Sequence, residues 1–105
     1  MSQKEIHYET FLTPEVIIRV SFLKHRGRIL RFTVQLECFI QSEWHPIVRY
    51  DTAHGFAHRD ILHPDGTEEK TPLPFSDYNE ALTFAQLDIK LNWQKYRRRY
   101  ERWLK

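Results

Sequence analysis

Apolar and polar residues alternate most regularly between Leu30 and Ile40. Leu30, Phe32, Val34, Leu36, Cys38 and Ile40 fall on one side, with Arg31, Thr33, Gln35, Glu37 and Phe39 between them. A period of two over this length predicts a half-buried antiparallel strand. Val16, Ile18, Val20 and Phe22 repeat the pattern upstream, and Gly27 offers a tight turn between the two. "WHPIVRYD" (44–51) reads as a third strand, with Pro46 expected at its start or on a free edge, because proline has no N–H to donate. "HGFAHRDILH" (54–63) reads as a fourth, placing Phe56, His58, Asp60 and Leu62 on one face and Ala57, Arg59, Ile61 and His63 on the other. "HPDG" is a turn signature, and a short fifth strand runs on through Lys70.

The period changes after "TPLPF" (71–75), an extended connector. Asp77 is placed to cap a helix that starts at Tyr78, with Glu80 completing a capping-box-like pair. Neither Gly nor Pro follows, so 78–104 reads as one helix of roughly 40 Å at about 1.5 Å per residue. Tyr78, Leu82, Ala85, Ile89, Trp93, Tyr96, Tyr100 and Trp103 form its core stripe. A second strip on nearly the opposite side runs Phe84, Leu87, Leu91 and then Lys95, Arg98, Arg102. A small sheet covers one side of a helix, so the apolar half of that strip predicts a partner, and a homodimer is expected.

The pattern therefore predicts an α+β fold: an antiparallel meander of four to five strands (about 16–70) with one long C-terminal helix packed on it. A chain of 105 residues is expected to be a single domain, 1–105. The lone Cys38 excludes an internal disulfide and reads as a small core hydrophobe. "MSQKEIHYETF" contains no apolar signal-peptide region, and no run is long enough to span a membrane, so a cytoplasmic location without membrane contact is expected.

The net charge of +2 hides an asymmetry. Residues 1–89 carry nine Lys/Arg against thirteen Asp/Glu, a balance of −4, whereas 90–105 carry seven against one, a balance of +6. In "NWQKYRRRYERWLK", cations alternate with rings, a mixture suited to phosphate contact and base stacking. Lys95, Arg98, Arg99 and Arg102 are the candidate nucleic-acid contacts. The competing readings are that the rings belong to the core stripe, that the cations complement the helix dipole, and that the partner is an acidic protein.

The other concentration is "RYDTAHGFAHRDILHPDG" (49–66). His54, His58, Asp60 and His63 invite a metal reading. On a strand, however, positions i and i+4 lie about 13 Å apart, at roughly 3.3 Å per residue, too far to chelate together unless a bulge at Gly55 intervenes. No cofactor is expected. Acid–base chemistry is the alternative. Metal-free RNA cleavage needs a base, an acid and a cation on the phosphate. His54 and His58 suit the first two roles, Arg49, Arg59 or Lys70 the third, and Asp51 or Asp60 could orient a histidine. The same residues equally form a purely structural lattice if 44–51 and 54–63 pair antiparallel, with Arg49 and Asp51 meeting Arg59 or Asp60 across the strands.

Trp44, Pro46, Arg49, Tyr50, Asp51, His54, Gly55, His58, Arg59 and Asp60 resemble the "W…P…RYD…HGFxHRD" segment of an uncharacterised family of roughly hundred-residue prokaryotic proteins, in which the segment precedes a long C-terminal helix. Arg49, Asp51 and His54 are also similar to the "R-[WY]-D-N-x-x-H" run of TumE-type toxins of prokaryotic toxin–antitoxin pairs, with Thr52 at the Asn position. That resemblance implies a small RNA-cleaving protein with an antitoxin-like protein partner. The expectation is an RNA-engaging protein, toxin-like and metal-independent. The alternatives are a non-enzymatic dimeric interaction module and a metal-binding protein.

Overall fold

A computed structural model describes residues 2–105. Six strands form one antiparallel sheet in chain order: β1 (Gln3–Thr13), β2 (Val16–His25), β3 (Arg28–Ile40), β4 (Glu43–Asp51), β5 (His58–Leu62) and β6 (Glu68–Pro72). One helix, α1 (Tyr78–Trp103), returns across a single face. The fold is α+β with the expected long helix, and it has six strands rather than four or five. The extra strand is β1. Most of its residues are exposed and none is fully buried, so it lacks the burial contrast that marks β2 and β3. It forms because β2 supplies hydrogen-bonding partners along its whole length, and its charged Lys4, Glu5 and Glu9 protect the free edge.

Two hairpins close through two-residue turns with positive φ at both positions, Arg26–Gly27 (51° and 76°) and Gln41–Ser42 (53° and 68°). That geometry matches the right-handed twist of the flanking strands. Pro46 sits beside a bulge opposite Glu37, and β5 begins to pair with β4 only at Val48. The missing donor therefore falls where β4 has no neighbour on that side, as expected for a proline at a free edge.

The core lies between the sheet and α1. Val20, Val34 and Tyr50 form one cross-strand row beneath the helix, and Ile18, Leu36, Val48 and Ile61 the next. Ala81, Leu82, Ala85, Ile89, Tyr96 and Tyr100 close over them from above. Cys38 is fully buried, and burial chiefly pushes its thiol up to about 12, in keeping with a hydrophobe rather than a nucleophile.

The helix starts at an Asp77 cap whose carboxylate accepts the N–H of Asn79 at 2.8 Å. Glu80 does not complete a capping box. Instead, Asn79 accepts from the N–H of Ile29 and donates to the carbonyl of Gly27, both at 2.9 Å, anchoring the first helical turn to the β2–β3 turn. At the far end, Trp103 lies flat on His63 with ring centroids 3.9 Å apart. The second strip is uncovered only in part: Phe84 is half-buried against Tyr50 and Phe75, whereas Leu87 is 53% exposed and Leu91 74%. Among the described residues, no helix is long and apolar enough to cross a membrane.

Candidate functional site

Strand pairing divides the expected site residues between the two faces of the sheet. Arg49 stands opposite Asp60, Tyr50 opposite Arg59 and Asp51 opposite His58. Side chains alternate along each strand, so Arg49, Asp51, His58 and Asp60 belong to the helix-free face. Arg59 belongs to the helix side, where its Nη1 donates to the Tyr96 hydroxyl at 3.2 Å. His63 is also on the helix side, against Trp103.

The helix-free face is a polar lattice. One cross-strand row reads His7, Ser21, Thr33, Asp51, His58, and its neighbour reads Glu9, Arg19, Gln35, Arg49, Asp60, Lys70. In the second row Arg19 bonds both Glu9 and Glu37, Arg49 donates to Gln35 at 2.8 Å, and Lys70 donates to Asp60 at 2.9 Å. The expected lattice thus exists and extends across all six strands. Its cross-strand partners are Asp51 with His58 and Arg49 with Asp60, not a pairing with Arg59.

His58 is the buried centre of the cluster, at 1% exposure. Its Nδ1 is 3.2 Å from Asp60 Oδ1, and its Nε2 is 2.8 Å from Asp51 Oδ1, off the line of a directed hydrogen bond. Lys70 Nζ lies 3.4 Å from the same Nδ1. Burial works to raise the Asp60 carboxyl, but the Lys70 hydrogen bond and the surrounding charges outweigh it and hold the group below the usual carboxylate range.

His54 does not lie on a strand. Residues Ala53–Gly55 form a short 3₁₀ turn in which His54 (φ 73°) and Gly55 (φ 84°) are both left-handed. Histidine tolerates this region better than most side chains, and Gly55 accepts it without a Cβ penalty. The turn brings the exposed His54 ring to 6.0 Å from His58, centroid to centroid, and lays Phe56 5.4 Å from the same ring. The separation of about 13 Å expected for an extended segment is therefore overturned. The metal reading gains nothing from this, because His63 is on the opposite face. Among the described residues no three His, Cys, Asp or Glu side chains are placed to hold an ion.

The C-terminal cations fall into two groups. Lys95, Arg98 and Arg102 point outward and are exposed, with no carboxylate within 4 Å among the described residues. Arg98 and Arg102 line a shallow depression with Lys105, Glu101 and Gln41. Arg99 is half-buried. Arg97 is occupied, facing Glu15 at 3.6 Å and Glu101 at 3.5 Å and donating to the Phe39 carbonyl.

A further polar cluster lies under the helix. The Asp88 carboxylate accepts the Tyr96 hydroxyl at 2.6 Å, the Tyr50 hydroxyl and the Asn92 amide. Burial first, and then the bond to Asp88, raise both phenols. Hydrophobic periodicity does not mark this cluster. Its signal was a carboxylate at position 88, beside the Ala85–Ile89 core stripe and two helical turns before Tyr96.

These features define a class: a single twisted antiparallel sheet, bare and polar on one face, with one long helix on the other whose final turns are basic. Within that class, the chain belongs to the family described as a domain of unknown function, DUF7718, which matches residues 1–105. No curated protein and no solved structure matches it.

Proposed function

We propose that the chain is an RNA-engaging protein that binds through the outward face of the C-terminal half of α1. The observation that carries this reading is the exposed line of Lys95, Arg98 and Arg102, none with a carboxylate partner among the described residues. Unpaired cations along a rigid rod attract a polyphosphate backbone and release its counterions. The helix-free face fits RNA less well. Arg19 and Arg31 are tied there to Glu9, Glu37 and Glu5, Lys70 to Asp60, and Arg49 stands among Asp51, Asp60 and Glu37, so its cations are matched by carboxylates.

The test is anisotropy titration of a short single-stranded RNA at several salt concentrations. Binding should weaken with salt, and the double variant R98E/R102E should lower the magnitude of the salt slope by about 0.7 for each phosphate contact removed. Salt-independent binding, or an unchanged slope in the variant, would refute the reading.

One observation favours a second step, toxin-like and metal-independent cleavage: the exposed His54 ring stands 6.0 Å from His58, with Lys70 beside Asp60. In this reading the His54 ring takes the 2′-hydroxyl proton as that oxygen bonds to phosphorus, returns it to the 5′-oxygen as the P–O5′ bond breaks, and Lys70 meets the phosphate. His58, sealed from solvent, positions the group with Asp51 and Asp60. The His54 cluster and the basic line lie on opposite sides of the sheet, so a bound strand must pass round an edge to reach both. Cleavage in the presence of EDTA that disappears with His54→Ala would support the step. Equal cleavage by the variant would exclude it.

A further inference from the structure

The seam between α1 and β5 holds two arginines that, among the described residues, no carboxylate answers. Arg59 is half-buried, its Nη1 donates to Tyr96 at 3.2 Å, and its Nε is buried without an acceptor. Asp88, the carboxylate that Tyr96 itself bonds, is already engaged by Tyr50, Tyr96 and Asn92.

Arg99 belongs to the same seam. Tyr96 touches Arg59 and Trp103 stacks on His63, so helix and strand run side by side over this stretch. Arg99 is three residues after Tyr96 and four before Trp103, spacings that put all three on one side of a helix. It is half-buried and, among the described residues, has no carboxylate within 4 Å.

A guanidinium partly withdrawn from water and left unpaired is costly, and a cation paired with a well-placed anion recovers that cost. Two planar guanidiniums on the same side of this seam suit a tetrahedral oxyanion, which each can engage through two N–H groups.

We infer that the α1–β5 seam is a phosphate-binding site, with Arg59 and Arg99 as its two forks and the Tyr96 hydroxyl holding Arg59 in place. This site is distinct from the outward line of Lys95, Arg98 and Arg102 and does not depend on the RNA reading. The phosphate group has two sources, an RNA backbone or a small phosphorylated molecule, and both present the same oxygens.

The experiment is thermal unfolding of the full chain in inorganic phosphate against sodium chloride at matched ionic strength. Wild type should show a saturable rise in Tm, on the order of 10 °C once phosphate exceeds its Kd about a hundredfold. Arg59→Gln and Arg99→Gln should abolish it, and Arg59→Lys should retain only part. Arg99 lies outside the Tyr50–Asp88 network, so Arg99→Gln remains informative even if Arg59→Gln folds poorly. A phosphate effect no larger than that of chloride, or a full effect in Arg99→Gln, would overturn the site. R98A/R102A, which sets no new carboxylate beside Arg99, should keep the phosphate shift while weakening RNA binding, which separates this inference from the RNA reading. If an RNA oligomer lacking a terminal phosphate competes with phosphate, the site serves the backbone. If phosphate binds saturably without that competition, it serves a small phosphorylated ligand.

Discussion

His58 and Asp60 lie two residues apart on β5, and their side chains meet at 3.2 Å on the helix-free face, both buried. The contact is local in sequence yet sealed by the 53–56 turn and the β4 and β6 neighbours. Removing His58 would leave Asp51 and Asp60 facing each other without the ring between them. His58→Ala is expected to destabilise the fold by about 3 kcal/mol, and His58→Gln by less, since an amide still donates to one carboxylate. Urea unfolding checks this: the midpoint should fall at constant m.

Acid stability follows from Asp60. Its carboxyl is lower in the folded chain than in the unfolded one, whose ordinary value is about 3.9. A depressed carboxyl contributes stability that is fully present above the unfolded pKa and is lost as pH falls through the folded value. Tm should therefore hold steady from neutrality down to about pH 5 and decline below about pH 4. Lys70→Met removes the hydrogen bond that chiefly lowers Asp60, so the acid limb should move to higher pH. An NMR titration of the Asp60 carboxyl reads the same shift directly.

Tyr50 and Tyr96 share the Asp88 carboxylate beneath α1. Both phenols are raised by burial and then by that bond, so their neutral forms are favoured in the folded state. The stability they confer is present below the unfolded phenol pKa of about 10 and is lost as pH rises toward the folded values. Tyr50→Phe should cost about 1–3 kcal/mol, the scale of a hydrogen bond to a charged acceptor. In ultraviolet pH titration, phenolate absorbance from Tyr50 should appear only as the chain unfolds, and that from Tyr96 should be displaced to higher pH than a free phenol's.

Leu87 and Leu91 form an apolar step on the outer side of α1, at 53% and 74% exposure. A second copy of the chain is the partner proposed for it, as the two-sided helix pattern implies. Light scattering at micromolar protein should give a dimer mass for the wild type and a monomer mass for Leu87→Glu/Leu91→Glu. A monomeric wild type would refute this proposal.

Much of the architecture is written in local patterns. Alternation from Phe32 to Ile40 sets the buried side of β3, while Leu30, expected on that side, is skipped by a bulge against β2 and is exposed; 3–4 spacing from Leu82 to Tyr100 sets the covered side of α1, and the strip through Leu91 to Arg102 its outward side. These features are legible because burial on one face imposes a fixed period of two or 3.6 on the residues themselves. β1 escaped because an exposed edge strand needs no apolar alternation, only a neighbour to pair with.

The candidate sites depended on more than local pattern. The chain determines which residue types crowd into 49–63 and that cations gather after Lys90. Tertiary structure decided that two left-handed residues at 54–55 fold His54 back over His58, and that strand parity sends Arg59 to Tyr96 while His58 and Asp60 face away. It also decided that Asp88 is occupied by two tyrosines, leaving Arg59 without a carboxylate among the described residues. Backbone twist, register and the return of α1 are set by pairings between residues far apart in the chain, and those pairings determine which charges meet and which remain open to a ligand.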